Sequence, residues 1–160
     1  MGDLFMDKGA IFSECGKYRF SLWRIWDNTK PILAFIGLNP STANSETNDP
    51  TIRRVIKFAK DNGYGGIKML NLFTIISALP SVLLTHPNPL QEADNILSDI
   101  PQGQDVVLAW GAFPEAIERG KMVIQRFPNA FCLGKNKDGS PKHPLYVKAN
   151  QPLIPFIEGI

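Results

Sequence analysis

The chain has 160 residues, 44% of them hydrophobic, and a formal charge of +2, which suits one compact domain over residues 1–160 and argues against a second. So mild a basic excess permits a nucleic-acid partner without demanding one, so any basic footprint must be local. The two cysteines, Cys15 and Cys132, stand far apart with no Cys-x-x-Cys spacing, which leaves no zinc or iron–sulfur motif and reads as buried cytosolic thiols.

In chain order, a hairpin is predicted first: Ala10 to Ser13, a turn over Glu14 to Lys17, then Tyr18 to Trp26, alternating and aromatic. It would form an antiparallel edge or cover. Ile32 to Gly37 is a continuous apolar run of the kind buried on both faces, the first central strand. Asp49-Pro50 reads as N-cap and first helical position, with Ile52, Val55, Ile56 and Ala59 at helical spacing and Gly63 as the stop. Arg53, Arg54, Lys57 and Lys60 mark its solvated face. Ile67 to Phe73 is a second strand, followed by an irregular connection from Thr74 to Leu90; long connections in compact domains usually serve function. Gln91 to Ile100 is predicted helical and Val106 to Trp110 a third central strand. Pro114 to Phe127 is a helix with Ile117, Ile124 and Phe127 inward, and Ala130 to Leu133 a short fourth strand. Gly134 to Ile160 is mostly loop. This alternation implies parallel strands with right-handed crossovers and helices on both faces, a three-layer α/β/α sandwich around a four-stranded parallel sheet plus the hairpin.

Polar groups stand where the apolar strands end: Asn39 after the first, Asn71 in the second, His143 in the loop after the fourth. In such a sheet those ends share one edge, where ligands bind. Gly37-Leu38-Asn39-Pro40-Ser41 offers an amide and backbone N–H groups to a ligand, or is merely an Asn-Pro turn. Asn71 lies inside an apolar stretch and needs partners, either a neighbouring loop or the edge of a nucleobase, on which Phe73 or Phe35 would stack. Lys135, Lys137 and Lys142 on a glycine-bearing loop suit phosphate contact, with Leu145 and Tyr146 as wedges for a base stack; the plainer alternative is a solvated loop. His143 could donate to a developing anion, and His86 is a second candidate. Trp23, Trp26 and Trp110 suit core or cover. No glycosidase carboxylate pair, Gly-x-Ser-x-Gly elbow or phosphate loop is present.

Four segments resemble motifs of the uracil-DNA glycosylase superfamily. Gly37-Leu38-Asn39-Pro40-Ser41 is similar to the first motif of its mismatch-specific and single-strand-selective branches, and Met69-Leu70-Asn71-Leu72-Phe73-Thr74 to the segment whose Asn recognises the base. Val106 to Gly111 resembles a Leu-Leu-Trp-Gly strand, and His143-Pro144-Leu145 the loop that supplies a catalytic His and an intercalating Leu. With Asp49 to Arg54 and Tyr146 added, the set also resembles an uncharacterised family of short bacterial and phage proteins, a domain of unknown function. The chain departs from the classical glycosylase branch in carrying Asn39 where that branch has Asp, Ser41 in the fifth position, and no Ser-Pro in the last loop.

The resemblance implies a DNA glycosylase-like hydrolase acting on uracil or a modified pyrimidine, in repair or phage defence. Asn39 and His143 would be catalytic, and Gly37, Leu38, Pro40, Ser41, Asn71 and Phe73 would bind the base. Lys135, Lys137, Lys142, Pro144, Leu145 and Tyr146 would contact DNA. No metal or cofactor is implied. The rival expectations are a base hydrolase or transferase for free nucleosides or nucleotides, and a non-catalytic nucleic-acid binding module. No apolar run approaches the about 18 residues that span a bilayer, and Met1 to Phe12 has no signal-peptide pattern. The expected setting is a cytoplasmic monomer without membrane partners.

Overall fold

The computed structural model describes residues 5–157. Its strands are β1 (Asp7–Phe12), β2 (Arg19–Ile25), β3 (Ile32–Gly37), β4 (Gly66–Asn71), β5 (Val106–Leu108), β6 (Phe131–Cys132) and β7 (Ile154–Pro155). The helices are α1 (Pro50–Asp61), α2 (Val82–Thr85), α3 (Ala93–Ser98) and α4 (Ile117–Arg126). All seven strands join one mixed sheet in the order β1-β2-β4-β3-β5-β6-β7. The neighbours β4, β3, β5 and β6 run parallel, while β1 and β2 on one side and β7 on the other are antiparallel.

Alternation along β3 explains how helices cover both faces. Leu33 and Phe35 pack with Ile52, Val55, Ile56 and Ala59 of α1, whereas Ala34 and Ile36 point the other way, into a core shared with Leu97 of α3 and Val123 of α4. The start of α1 is set locally: the Asp49 carboxylate accepts the Ile52 N–H at 2.9 Å, and Pro50 needs no partner there.

The expected sheet of four strands is thus enlarged to seven. The hairpin does form an antiparallel edge, but β1 starts at Asp7, before the predicted Ala10. β7 was not foreseen: two residues hydrogen-bond to β6 and close the far edge, a pairing with no local signature. Helix formation over 91–100 is confined to α3, and the Thr74 to Leu90 connection contains the single turn α2. The predicted helix 114–127 opens with a 3₁₀ turn at Pro114–Ala116, whose tighter winding rotates Ile117 outward to 53% exposure. Cys132 is buried as expected, but Cys15 sits exposed at the hairpin turn. Trp110 is core and Trp26 is cover, with the Lys60 ammonium 5.2 Å from its ring. No helix among the described residues is long and apolar enough to cross a membrane.

Candidate functional site

β3 and β4 end side by side, Gly37 opposite Asn71. Beyond them lies a cavity of about 200 Å³ lined by Asn39, Asn71 and His143 together with Arg19, Asp49 and Phe113. Gly37, Leu38, Pro40 and Ser41 also face it. A larger hollow of about 540 Å³ lies at the opposite edge, near Val106 and Ala130. Two of its charged groups are engaged elsewhere: Asp105 accepts the Tyr64 hydroxyl at 2.6 Å, and Arg126 donates to the Ser98 carbonyl at 2.7 Å. The smaller cavity is the one that gathers polar groups at the carboxyl ends of the parallel strands, Asn39, Asn71 and His143 among them.

The two amides are held very differently. Asn39 Nδ2 donates to the carbonyls of Ser77 at 2.8 Å, Pro40 at 3.1 Å and Ile75 at 3.3 Å. Three acceptors around one nitrogen fix the orientation of the amide and leave Oδ1 as its free atom. Backbone bonds run alongside, Phe73 N–H to Leu38 and Ser77 N–H to Pro40, so the loop after β3 is zipped to the segment after β4. Asn71, 6% exposed, makes no side-chain hydrogen bond among the described residues. Its amide keeps one acceptor and two donors for a ligand. Gly37 makes room for it: a Cβ there would lie 2.9 Å from Asn71 Oδ1 and 2.7 Å from Met69 Cε.

His143 caps a 3₁₀ turn, Pro144–Tyr146, its Nδ1 accepting the Leu145 N–H at 3.1 Å. In the neutral ring the proton is therefore on Nε2. Burial holds this imidazole below its ordinary pKa, against an opposing pull from the Asp49 carboxylate. Its loop is anchored from two sides. Gly111 N–H donates to Pro141 at 3.0 Å, and Arg54 Nη1 to Val147 at 3.2 Å. Gly111 has φ +85, and a Cβ on it would stand 3.2 Å from His143 Cβ, so Trp110-Gly111 passes close beneath the histidine. Pro144 is buried, while Leu145 and Tyr146 project at 37% and 74% exposure. The Tyr146 ring lies 5.5 Å from that of His143.

Other expected site residues lie elsewhere. Phe73 is buried in the core against Arg119, whose guanidinium is 5.8 Å from the ring, and Phe35 is wholly enclosed beneath α1. β4 stops at Asn71, so the alternation that would have put Phe73 on the same side is broken. Lys135 lies over the Phe156 ring at 4.6 Å, and the stem of Lys142 covers Gly134. Neither these two nor Lys137 lines the cavity. They belong to a tight loop in which Asn136 N–H bonds to Ser140 at 2.8 Å and Asp138 caps the Ser140 N–H at 2.9 Å. His86 is outside the cavity, accepting the Asn88 N–H at 3.0 Å with its ring edge-on to Tyr18.

Phe113 and Arg19 escaped sequence reading, and Asp49 was read there only as the helix cap. Phe113 is the aromatic side chain that the site does possess. Asp49 is both helix cap and cavity wall. Arg19 is 3% exposed and donates from Nη1 to the Ala43 carbonyl at 3.1 Å, while its Nε is buried with no partner. Desolvation pushes its pKa down to about 10, partly offset by Asp49 and reinforced by Arg24. The signal available in sequence was an arginine in an alternating, largely apolar strand. No cluster of three or more His, Cys, Asp or Glu among the described residues could hold a metal ion.

A family model described as Protein of unknown function (DUF1643) matches residues 19–145. The chain belongs to this family. The matched span of DUF1643 starts at Arg19 and ends at Leu145, enclosing every cavity residue discussed above. No curated protein and no solved structure matches the chain.

Proposed function

We propose that the cavity is the active site of a DNA glycosylase-like hydrolase that cleaves the N-glycosidic bond of uracil or a modified pyrimidine. One observation carries this reading: Asn39 Oδ1, the unpartnered amide of Asn71 and the Nε2 side of His143 belong to side chains that line one small cavity. The parallel run β4-β3-β5-β6 with helices on both faces supports the uracil-DNA glycosylase-like sandwich as its frame. At about 200 Å³ the space is well below the roughly 300–1,000 Å³ of drug-sized sites and suits one heterocycle.

In the proposed reaction a flipped base enters the cavity and Asn71 reads its edge through one acceptor and two donors. Asn39 Oδ1 accepts a hydrogen bond from a water placed behind C1′. The water oxygen bonds to C1′ as the bond from C1′ to the base nitrogen breaks, its electron pair leaving with the base. Neutral His143 donates from Nε2 to the oxygen on which that charge develops. An amide cannot take the proton of the water, which passes to solvent after attack, so turnover is slow. Leu145 and Tyr146, exposed beside His143, would fill the gap in the base stack. Lys135, Lys137 and Lys142 are assigned to phosphate contact outside the cavity.

The test is incubation with duplexes and single strands bearing uracil, mismatched thymine or modified pyrimidines, followed by alkaline cleavage at abasic sites. Product from wild type that falls in Asn39→Ala and His143→Ala is expected; no product, or equal product from both variants, refutes the reaction. A second reading, hydrolysis or transfer of the base of a free nucleoside or nucleotide, is favoured by the position of the three lysines off the cavity wall. Base release from a nucleoside but from no DNA would select it. DNA binding without any base release would instead mark a non-catalytic module.

A further inference from the structure

Arg19 lines the cavity with its strongest binding edge unused. Of its three nitrogens, only Nη1 is bonded, to the Ala43 carbonyl. Nε is fully buried and unpartnered, and Nη2 has no bond among the described residues. On a guanidinium, the N–H groups of Nε and Nη2 point the same way along one edge, and that edge matches the two oxygens of a carboxylate or phosphate. The desolvation of this cation is offset only in part, by the Ala43 carbonyl and the nearby Asp49 charge, and an anion on the guanidinium would offset more of it.

The other charges around Arg19 do not fill the vacancy in the fork. Asp49 faces the same cavity, but no ion pair joins the two among the described residues. Its oxygens accept backbone N–H groups instead, Ile52 at 2.9 Å and Ala43 at 3.3 Å. Arg24 is turned to the carbonyls of Gly9 and Trp23 and the side chain of Asn48. His143 is the remaining titratable group of the cavity and is held toward its neutral form. Thr51, in the first turn of α1, lines the cavity too, so the positive end of that helix adds a field of the same sign.

We propose that the ligand of this cavity carries its own compact oxyanion, a carboxylate on the heterocycle or a phosphate on its nucleotide, gripped by the Arg19 guanidinium while Asn71 holds the ring. This deepens the proposed function and rests on its reading of Asn71 as the group that recognises the base. It shifts the preferred substrate from plain uracil to an acidic pyrimidine or a free pyrimidine nucleotide.

The experiment is calorimetric titration of the full chain with uracil, 5-carboxyuracil, orotate, uridine, uridine 5′-monophosphate and inorganic phosphate. At least one acidic probe should bind about tenfold more tightly than its neutral parent, the gain expected of a charge-assisted pair. Preference for a carboxylated base places the anion on the ring, and preference for the monophosphate places it on the sugar. Arg19→Gln should abolish the preference and Arg19→Lys retain part of it. In wild type, the Nε–H resonance of Arg19 should move with the preferred probe and stay still with uracil, a readout that holds even if a variant does not fold. Equal binding of acidic and neutral probes, a preference that survives Arg19→Gln, or an unmoved Nε–H resonance overturns the proposal. Acid-selective binding with no base release from DNA would sink the glycosylase reading alone; base release with no acid selectivity would sink this one alone.

Discussion

Gly37 and Asn71 end two adjacent parallel strands in register, and a side-chain carbon on the first would stand 2.9 Å from Oδ1 of the second. The missing side chain at 37 is what allows the amide at 71 to face open space. Gly37→Ala should therefore turn the amide away from the cavity. Binding of a pyrimidine probe should weaken about tenfold, while overpacking costs roughly 1–3 kcal/mol of stability. Titration and denaturant melts on the same variant separate the two effects, and unchanged probe binding would contradict this account of the site.

Asn39→Asp is the substitution that a search for a stronger catalyst would try first. It should instead destabilise the protein, because Nδ2 donates to three carbonyls that a carboxylate oxygen would repel. A loss of about 2–4 kcal/mol is expected from unpaired buried acceptors facing a charge. Urea unfolding measures it, and a variant as stable as wild type would show that the tether is not structural.

Arg24 is fully buried and holds the loop before α1, with Nε to Asn48 Oδ1 at 2.8 Å and Nη2 to Thr47 O at 3.3 Å. Arg24→Met keeps the length of the side chain and strips its donors. It should cost about 3 kcal/mol or more, since several enclosed carbonyls lose their partner at once. Thermal unfolding monitored by circular dichroism is the check.

His143 couples stability to pH. Its folded-state pKa lies below the ordinary value, with burial as the first cause. The unfolded chain therefore binds the proton more readily than the native one. The stability associated with the neutral ring is present above the unfolded value of about 6.5 and is lost as pH falls through it toward the lower folded value. His143→Gln should flatten the stability profile between about pH 7 and 5. Equal slopes in wild type and variant would remove the histidine from this role.

Leu145 and Tyr146 are exposed, so Leu145→Ala and Tyr146→Ala should alter stability by no more than about 0.5 kcal/mol. If they fill a base stack, affinity for DNA should fall about tenfold at the same time, as the loss of one stacked contact of about 1–3 kcal/mol would give. Fluorescence anisotropy with a labelled oligonucleotide reads this directly. Undiminished affinity in both variants would count against the wedge.

The outline of the parallel centre and α1 was legible because each depends on neighbours in sequence. Asp49-Pro50 announces the helix start, and the unbroken apolar run of β3 announces burial on two faces. β7 was not legible, since two residues become a strand only by pairing with β6. Phe73 was misplaced because periodicity says nothing about where a strand stops. One residue after Asn71 the chain leaves the sheet, and the ring turns into the opposite core.

Sequence alone determined that small polar residues stand at the ends of apolar strands, and parallel topology then brings those ends to one edge. Whether each group still has hydrogen bonds to give was decided only in three dimensions. Asn39 spends its donors on carbonyls as remote as Ser77, Asn71 spends none, and Arg19 is enclosed because the loop from Ala43 folds back over β2. Free hydrogen-bonding capacity is what remains after every long-range contact has formed, so it is a property of the packed chain and not of any one segment.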